Sequence, residues 1–152
     1  MTTLHLKNLS RKVGNATLVR DVTLSFEAGS LNLLLGPNGA GKTSLLRLCA
    51  LLDAPTGGTI TTGNGKKPLE PAAAAITMVF QRPTIFSRSV LENLRYPLSL
   101  RGLPKAEQQS RIEEAVAVAD LAGLTEQPGR SLSGGEAQRL ALARAFVMRP
   151  RS

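Results

Sequence analysis

Residues 31–43 read LNLLLGPNGAGKT, and this stretch predicts the fold of the first half of the chain. Residues 31–35 are nearly all apolar, as expected of a β-strand that is covered on both faces. Beyond the glycine-rich segment, apolar side chains recur at helical spacing at Leu45, Leu48, Cys49 and Leu52. A strand, a glycine-rich turn and a helix in this order form the context that a phosphate-binding loop requires.

The segment GPNGAGKT, residues 36–43, matches the pattern G-x-x-x-x-G-K-[ST]. Glycines let the backbone curl so that successive N–H groups point at phosphate oxygens, and the dipole of the following helix adds to that field. Lys42 is predicted to reach the β- and γ-phosphates, and the hydroxyl of Thr43 suits a Mg²⁺ ligand. The candidate phosphate-site residues are Gly36, Pro37, Asn38, Gly39, Ala40, Gly41, Lys42, Thr43 and Ser44.

The composition is that of an ordinary globular domain, with 152 residues, 42% hydrophobic and 20% charged. No stretch approaches the roughly 18 consecutive apolar residues that a membrane span needs. The start, MTTLHLKN, lacks the layout of a secretion signal, and the lone Cys49 excludes an internal disulfide, so we expect a cytoplasmic chain. The net charge of +8 leaves nucleic acid open, although 3% aromatic residues argue against a base-stacking surface.

Alternating patterns at residues 3–7 and 22–26 predict half-buried antiparallel strands, and the apolar residues 74–80 predict a second buried strand. Residues 63–71 are predicted to form a polar loop. His5, the only histidine, is expected to face solvent from the first strand.

Three helices are predicted in the second half. Ser89 and Glu92 form a capping-box pattern that starts the first of them. Pro97 and Gly102 are expected to end that helix. Pro104 is expected to begin the second helix, and Gly123 to cap its C-terminal end. The third helix begins at LSGGE, residues 132–136.

LSGGE is informative beyond its own capping pattern, Ser133 with Glu136. A plain cap needs no glycine pair, whereas Gly134 and Gly135 would expose N–H donors to an approaching anion. Extended by Gln138 and Arg139, the motif resembles the signature sequence of the ATP-binding-cassette (ABC) family.

The resemblance implies an α/β fold, with an ABC-type phosphate-loop NTPase core, N-terminal antiparallel strands and an α-helical subdomain. Across residues 1–152 it implies a partial ATPase domain with three segments. These are a strand-rich nucleotide-binding core (residues 1–81), a helical subdomain (residues 82–130), and the signature with its helix (residues 131–152).

The same resemblance implies ATP and Mg²⁺ as ligands. Ser133, Gly134 and Gly135 would contact the ATP held by a second ATPase subunit in a head-to-tail pair. Gln81, in the sequence VFQRP, resembles the family's Q-loop and would act with Lys42, its amide oxygen directed at Mg²⁺ or the attacking water. Residues 84–94 resemble the segment that docks on the membrane subunit. Ile85 and Phe86 would either contact that subunit or pack under the helix that starts at Ser89.

An ATP-driven importer subunit is therefore expected, on the inner face of a cell membrane, with permease subunits and a solute-binding protein and without nucleic acid. The sequence around residues 79–102 resembles prokaryotic importers of tungstate, molybdate or phosphate. Two alternatives stay open: an ABC ATPase that acts on nucleic acid or ribosomes, and a non-catalytic, truncated nucleotide-binding module.

Two features depart from the family pattern. Val13 precedes Gly14 where family members usually carry an aromatic residue that stacks on adenine. The sequence also stops before the family's Walker B strand with its Asp-Glu pair and before the switch histidine, and no acidic residue follows Glu136. We therefore expect a fold that is incomplete at its C-terminus, and a chain that is inactive alone.

Overall fold

The computed structural model describes residues 3–63, 67–68 and 76–150. The chain divides into two compact units, one made of the described residues up to Met78 and the other running from Val79 to Pro150. Each unit has its own hydrophobic core.

The first unit is built on a four-stranded antiparallel sheet with the strand order β2-β1-β3-β4. Its elements in chain order are β1 (Leu4–Val13), β2 (Ala16–Phe26), α1 (Lys42–Cys49), β3 (Gly57–Thr62) and β4 (Lys67–Pro68). The antiparallel strands predicted from the alternating pattern are confirmed. β1 and β2 join in a hairpin whose turn uses the left-handed conformation of Gly14, at φ 55°.

The core of this unit lies between the sheet and α1. Its buried residues are Leu4, Leu6, Leu9, Val19, Leu45, Leu48, Cys49 and Ile60. Burial raises the pKa of the Cys49 thiol to about 11, so it packs as a small apolar group and is not a reactive thiol. The prediction that Leu52 lies on the same face is wrong, because α1 ends at Cys49 and Leu51 turns the chain at φ 55°, which leaves Leu52 49% exposed.

The strand predicted at residues 31–35 is absent. Leu31, Leu33 and Leu35 are exposed, Leu31 fully. A strand forms when its N–H and C=O groups pair with a neighbour, and no described strand pairs with this segment. For the strand predicted at residues 74–80, residues 76–80 form no strand either, and 74–75 lie outside the described residues. The loop predicted at residues 63–71 falls largely outside them as well.

The second unit is helical. Its main helices are α2 (Val90–Leu100), α3 (Lys105–Val118) and α4 (Gly134–Phe146), and two short 3-10 helices cover Ala122–Leu124 and Gly129–Ser131. The three long helices pack around the buried residues Val90, Leu94, Leu98, Ile112, Ala115, Leu121, Leu140, Ala143 and Val147. None of the helices in the described part of the chain has both the length and the apolar character that a bilayer crossing requires.

The helix starts agree with the sequence better than the helix ends. Both predicted capping boxes are present, at Ser89 and at Ser133. Pro97 does not end α2, because it lies within the last turn, and the helix continues to Leu100. Gly123 does not cap α3 either. Asp120 takes the left-handed conformation there at φ 52°, since aspartate tolerates it better than most side chains.

His5 is half-buried and does not simply face solvent as predicted. Its Nε2 lies 2.9 Å from the Gly63 carbonyl oxygen and its Nδ1 lies 2.8 Å from the Ser25 hydroxyl. Because a carbonyl can only accept, Nε2 carries the proton in this pair. The ring thus ties β1 to β2 and to the residue after β3.

Candidate nucleotide-binding site

The phosphate-binding loop, residues 36–43, enters α1 through a glycine that no other residue could replace without strain. Gly41 caps α1 in the left-handed conformation, at φ 87° and ψ 5°. A Cβ atom on it would lie 2.3 Å from the carbonyl oxygen of Leu18 in β2. Gly39 is also left-handed, at φ 80°, but the space beside it is open. The two glycines explain the curl of the loop, and Gly41 also explains its close approach to the sheet.

Lys42 folds back over the loop that precedes it. Its Nζ donates hydrogen bonds to the carbonyl oxygens of Gly36 and Pro37, both at 2.7 Å. The charged group therefore sits over the loop and does not extend into solvent. Both acceptors are neutral, and a phosphate oxygen would make a stronger, charge-assisted bond to the same ammonium group.

The start of α1 adds to the attraction for anions. The first turn of this helix carries no acidic residue, so no carboxylate opposes the partial positive charge at its N-terminus. Thr43 and the loop residues 36–40 are exposed, while Lys42 and Ser44 are half-buried. Thr43, the first residue after Lys42, is thus accessible to a ligand.

A cavity of about 330 Å³ adjoins the loop within the same unit. Its walls combine apolar side chains of β2 and α1 with two cationic side chains; the lining residues are Thr17, Leu18, Val19, Arg20, Val22, Leu34, Leu35, Ala40, Gly41, Lys42 and Leu45. Val13, at the hairpin end of β1, is 53% exposed and aliphatic.

The loop geometry fits a nucleotide phosphate. The space beside Gly39 is open, Gly41 brings the loop against the sheet, and Lys42 places its ammonium group over the loop. For the metal, the described residues hold no group of three His, Cys, Asp or Glu side chains placed to bind an ion. Mg²⁺ that arrives with a nucleotide keeps phosphate oxygens and water as most of its ligands, and one protein hydroxyl such as that of Thr43 suits such a site.

The second unit carries the other predicted site residues. Ser133 caps α4, and Gly134 and Gly135 are exposed with open space beside them. Both donors of Ser133 are used locally, because its N–H and its hydroxyl each donate to the same Glu136 carboxylate oxygen at 2.7 Å. These bonds lower the pKa of Glu136. The capping box therefore holds a carboxylate at this helix N-terminus, next to the exposed glycines.

Gln81 is exposed at a bend in the second unit. The structure thus places the phosphate-binding loop in one unit, and Gln81 with Ser133, Gly134 and Gly135 in the other. Of the two expectations for Ile85 and Phe86, packing under α2 agrees with their half-buried state. Phe86 lies edge-on to Tyr96 of α2, with ring centroids 5.1 Å apart.

Sequence reasoning missed two residues near these positions. Asn93 is fully buried in α2, and Arg144 of α4 lies over the Phe86 ring with 4.7 Å from its guanidinium carbon to the ring centroid. A signal for Asn93 was available, since it is a polar residue on the apolar face formed by Val90, Leu94 and Leu98.

Known proteins similar to this chain identify its family. Residues 19–152 match the family model described as ABC transporter. The sn-glycerol-3-phosphate import ATP-binding protein UgpC of Bordetella avium is 39% identical over 99% of this chain and 43% of its own length. The Fe(3+) ions import ATP-binding protein FbpC of Vibrio cholerae is 41% identical over 96% of this chain and 42% of its own length. The chain thus spans less than half the length of these relatives.

Solved structures show the same fold. The structure of cbiO1 from Clostridium perfringens, part of the ABC transporter complex cbiONQ, aligns with a TM-score of 0.83 at 26% identity. The alignment covers 97% of this chain and 62% of cbiO1. The chain belongs to the ABC transporter family, and the predicted α/β class with antiparallel strands and a helical part is confirmed.

Proposed function

We propose that the protein is the ATP-binding subunit of an importer and couples ATP binding and hydrolysis to the uptake of a small solute. The observation that carries the proposal is the phosphate-binding loop, where Gly41 brings the backbone against β2 and Lys42 places its ammonium group over the loop. The import function is supported by relatives that are named as import ATP-binding proteins.

In this proposal the residues of the loop, Gly36 to Ser44, bind the phosphates of ATP through backbone N–H groups. Lys42 gives up its bonds to Gly36 and Pro37 and binds the terminal phosphates. Thr43 would hold Mg²⁺ through its hydroxyl, and the ion would supply positive charge beside the phosphates. Gln81 positions the attacking water and the metal through its side-chain amide.

Ser133, Gly134 and Gly135 are proposed to contact the ATP held by a second ATPase subunit, in a head-to-tail pair. The exposure of Gly134 and Gly135 at the N-terminus of α4 supports this role, because the helix dipole favours an anion there. The Glu136 carboxylate, which Ser133 holds in the same turn, opposes part of that attraction. Each ATP would then lie between two subunits.

The remaining partners in this proposal are permease subunits in the membrane and a solute-binding protein, so that the subunit would lie on the cytoplasmic face. The similar protein cbiO1 is part of an ABC transporter complex, which supports assembly with further transporter subunits. The cargo stays a prediction. The relatives named above are import proteins for glycerol-3-phosphate and ferric ions, and neither name supports tungstate, molybdate or inorganic phosphate.

Equilibrium binding of a phosphate series tests the nucleotide site. ATP, ADP and AMP, each with Mg²⁺, are titrated into the purified chain by calorimetry. Because the loop recognises phosphates, affinity should fall in that order, and adenosine should not compete. Equal affinity for AMP and ATP would place recognition on the base and would contradict the proposed role of the loop.

Co-purification tests the import role. Membrane proteins encoded beside this gene, expressed together with it, should retain the subunit on detergent-solubilised membranes. If they do not, and the protein instead binds DNA or RNA with a steep salt dependence, the nucleic-acid alternative replaces the importer.

A further inference from the structure

The segment 84–89, which we name the docking loop, is fixed to α2 by one buried side chain. Asn93 is 0% exposed, and its amide oxygen accepts from the N–H of Phe86 at 3.0 Å. Its amide nitrogen lies at hydrogen-bond distance from the carbonyl oxygens of Phe86, Arg88 and Ser89, at 3.1, 3.2 and 2.9 Å. All of the polar partners of this buried amide therefore belong to the docking loop.

The docking loop is also attached to α4. A guanidinium nitrogen of Arg144 donates to the carbonyl oxygen of Thr84. The same group lies over the Phe86 ring, in the geometry of a cation–π contact. Burial lowers the pKa of Arg144, which agrees with a guanidinium held against the loop and away from water.

A third attachment joins the docking loop to the residues that lead into Ser133. The N–H of Gly129 donates to the Arg88 carbonyl at 2.7 Å, and Ser89 pairs with Pro128 in an isolated β-bridge. The approach is close, because a Cβ on Gly129 would lie 2.4 Å from a methyl carbon of Ile85. The 3-10 helix Gly129–Ser131 then runs directly to the capping residue of α4.

The docking loop is thus held on both sides of Ser133, by the segment before it and by the last turn of the helix after it. We propose that Asn93 and Arg144 are positioning residues that tie the docking loop to α4, so that the position of this loop sets the position of Ser133. The inference deepens the proposed function, in which Ser133 contacts the ATP of a second subunit.

The docking loop and α4 are expected to move together because the three sets of contacts hold the loop closely. Asn93 is fully buried, and removing its amide would leave the N–H of Phe86 without its acceptor. The carbonyls of Phe86, Arg88 and Ser89 would each keep one backbone N–H donor. The loop can therefore move only with the elements that hold it. Packed, hydrogen-bonded elements shift as units because interiors are close-packed.

Hydrogen exchange measured by mass spectrometry on the intact chain tests the inference. Arg144→Met keeps the side-chain volume but loses the donor and the charge, and Asn93→Ala loses the whole amide. Exchange should rise about tenfold at residues 84–89, the change expected when a buried hydrogen-bond partner is lost, and it should rise as well at residues 133–136. Arg144→Lys retains a donor and should lie between wild type and Arg144→Met.

Ser99→Ala is the matched control, since Ser99 lies exposed on α2 and bonds only within its own helix, to the Tyr96 carbonyl. It should leave both peptides unchanged. A rise confined to the docking loop, with residues 133–136 as protected as in wild type, would overturn the inference. If Asn93→Ala does not fold, the two Arg144 variants still decide the question.

A second readout separates this inference from the proposed function. Sedimentation measures the ATP-dependent pairing of subunits, and calorimetry measures nucleotide affinity of the single subunit. Arg144→Met should weaken pairing about tenfold, which is the effect expected when one or two hydrogen bonds are lost. The nucleotide affinity of the single subunit should stay unchanged. If wild type binds no nucleotide, the proposed function fails, while the exchange experiment still tests the coupling.

Discussion

Gly41 and Gly39 share a left-handed backbone but differ in their surroundings, and this difference predicts the cost of a methyl group. Alanine at either position strains the backbone by about 1–2 kcal/mol. Only Gly41 also faces a backbone oxygen, that of Leu18, at 2.3 Å from the added Cβ. Gly41→Ala should therefore lower the free energy of unfolding clearly more than Gly39→Ala.

Urea denaturation of the two variants measures this difference, with Gly39→Ala as the control for the φ strain alone. Equal losses in the free energy of unfolding would mean that β2 moves away without cost. The close approach of the loop to the sheet would then not contribute to stability.

Glu136 makes part of the stability of α4 depend on pH. The bonds from Ser133 lower its pKa in the folded chain. The ionised carboxylate therefore stabilises the fold fully above the unfolded pKa of about 4.3, and this contribution is lost as the pH falls through the lower folded pKa. Glu136→Gln, whose amide oxygen can still accept from Ser133, should lose less stability than wild type over that acidic range.

Thermal unfolding of both proteins at neutral pH and at several acidic values provides the measurement. The same loss in both would assign the acid sensitivity to other carboxylates and would remove the charged capping box as its source.

At the scale of the element, the C-terminal end of α4 is held by arginines from the neighbouring segments. Arg111 of α3 donates to the Val147 carbonyl at 3.3 Å and pairs with Glu107, and its side chain is 14% exposed. Arg149 pairs with Glu114 but is 55% exposed. Hydrogen bonds from a charged group are worth about 1.5–3 kcal/mol when sheltered, whereas exposed ion pairs contribute about 0–1 kcal/mol.

Arg111→Met should therefore destabilise the second unit within the first range, and Arg149→Met, its matched control, within the second. Guanidinium denaturation of the two variants compares them. An equally small loss of stability in both variants would show that water serves the Val147 carbonyl as well as Arg111 does.

The elements also show which parts of the fold the sequence predicts. The capping boxes at Ser89 and Ser133 follow from residues three positions apart, so local pattern is sufficient. The strand expected at residues 31–35 depends on partners elsewhere in the chain, which no local pattern contains. The roles of Asn93 and Arg144 depend in the same way on which loop lies against them.

For the candidate site, the motif predicts residue identity well because backbone chemistry dictates it. The need for glycine at position 41 follows from its φ angle and from the contact with β2, and the motif anticipates the first of these. The fold of Lys42 onto Gly36 and Pro37 was not predictable, since a flexible side chain has many rotamers in sequence alone.

At the scale of the whole molecule, several exposed leucines lie close together in sequence at residues 31–35. Leu31, Leu33 and Leu35 are each at least 78% exposed. Contiguous apolar patches with unpaired backbone promote association. Replacing all three by threonine should reduce the self-association of the purified chain and its binding of a hydrophobic dye.

Leu100→Thr is the control for this prediction. Leu100 is 70% exposed but lies at the end of α2 in the second unit, and a single exposed apolar residue is ordinary. Light scattering should show no change for Leu100→Thr. Unchanged self-association of the triple variant would show that a different surface mediates it.

The central claim is that residues 36–43 form a nucleotide phosphate site, and Lys42→Met tests it most directly. This substitution removes the ammonium group and keeps the length of the side chain, and thermal unfolding checks that the fold is retained. Calorimetric titration of Mg-ATP should show saturable binding to wild type and a loss of at least about tenfold in affinity for Lys42→Met, because a charge-assisted contact to phosphate is gone. Equal affinity of the two proteins for Mg-ATP, or no binding by either, would contradict the account.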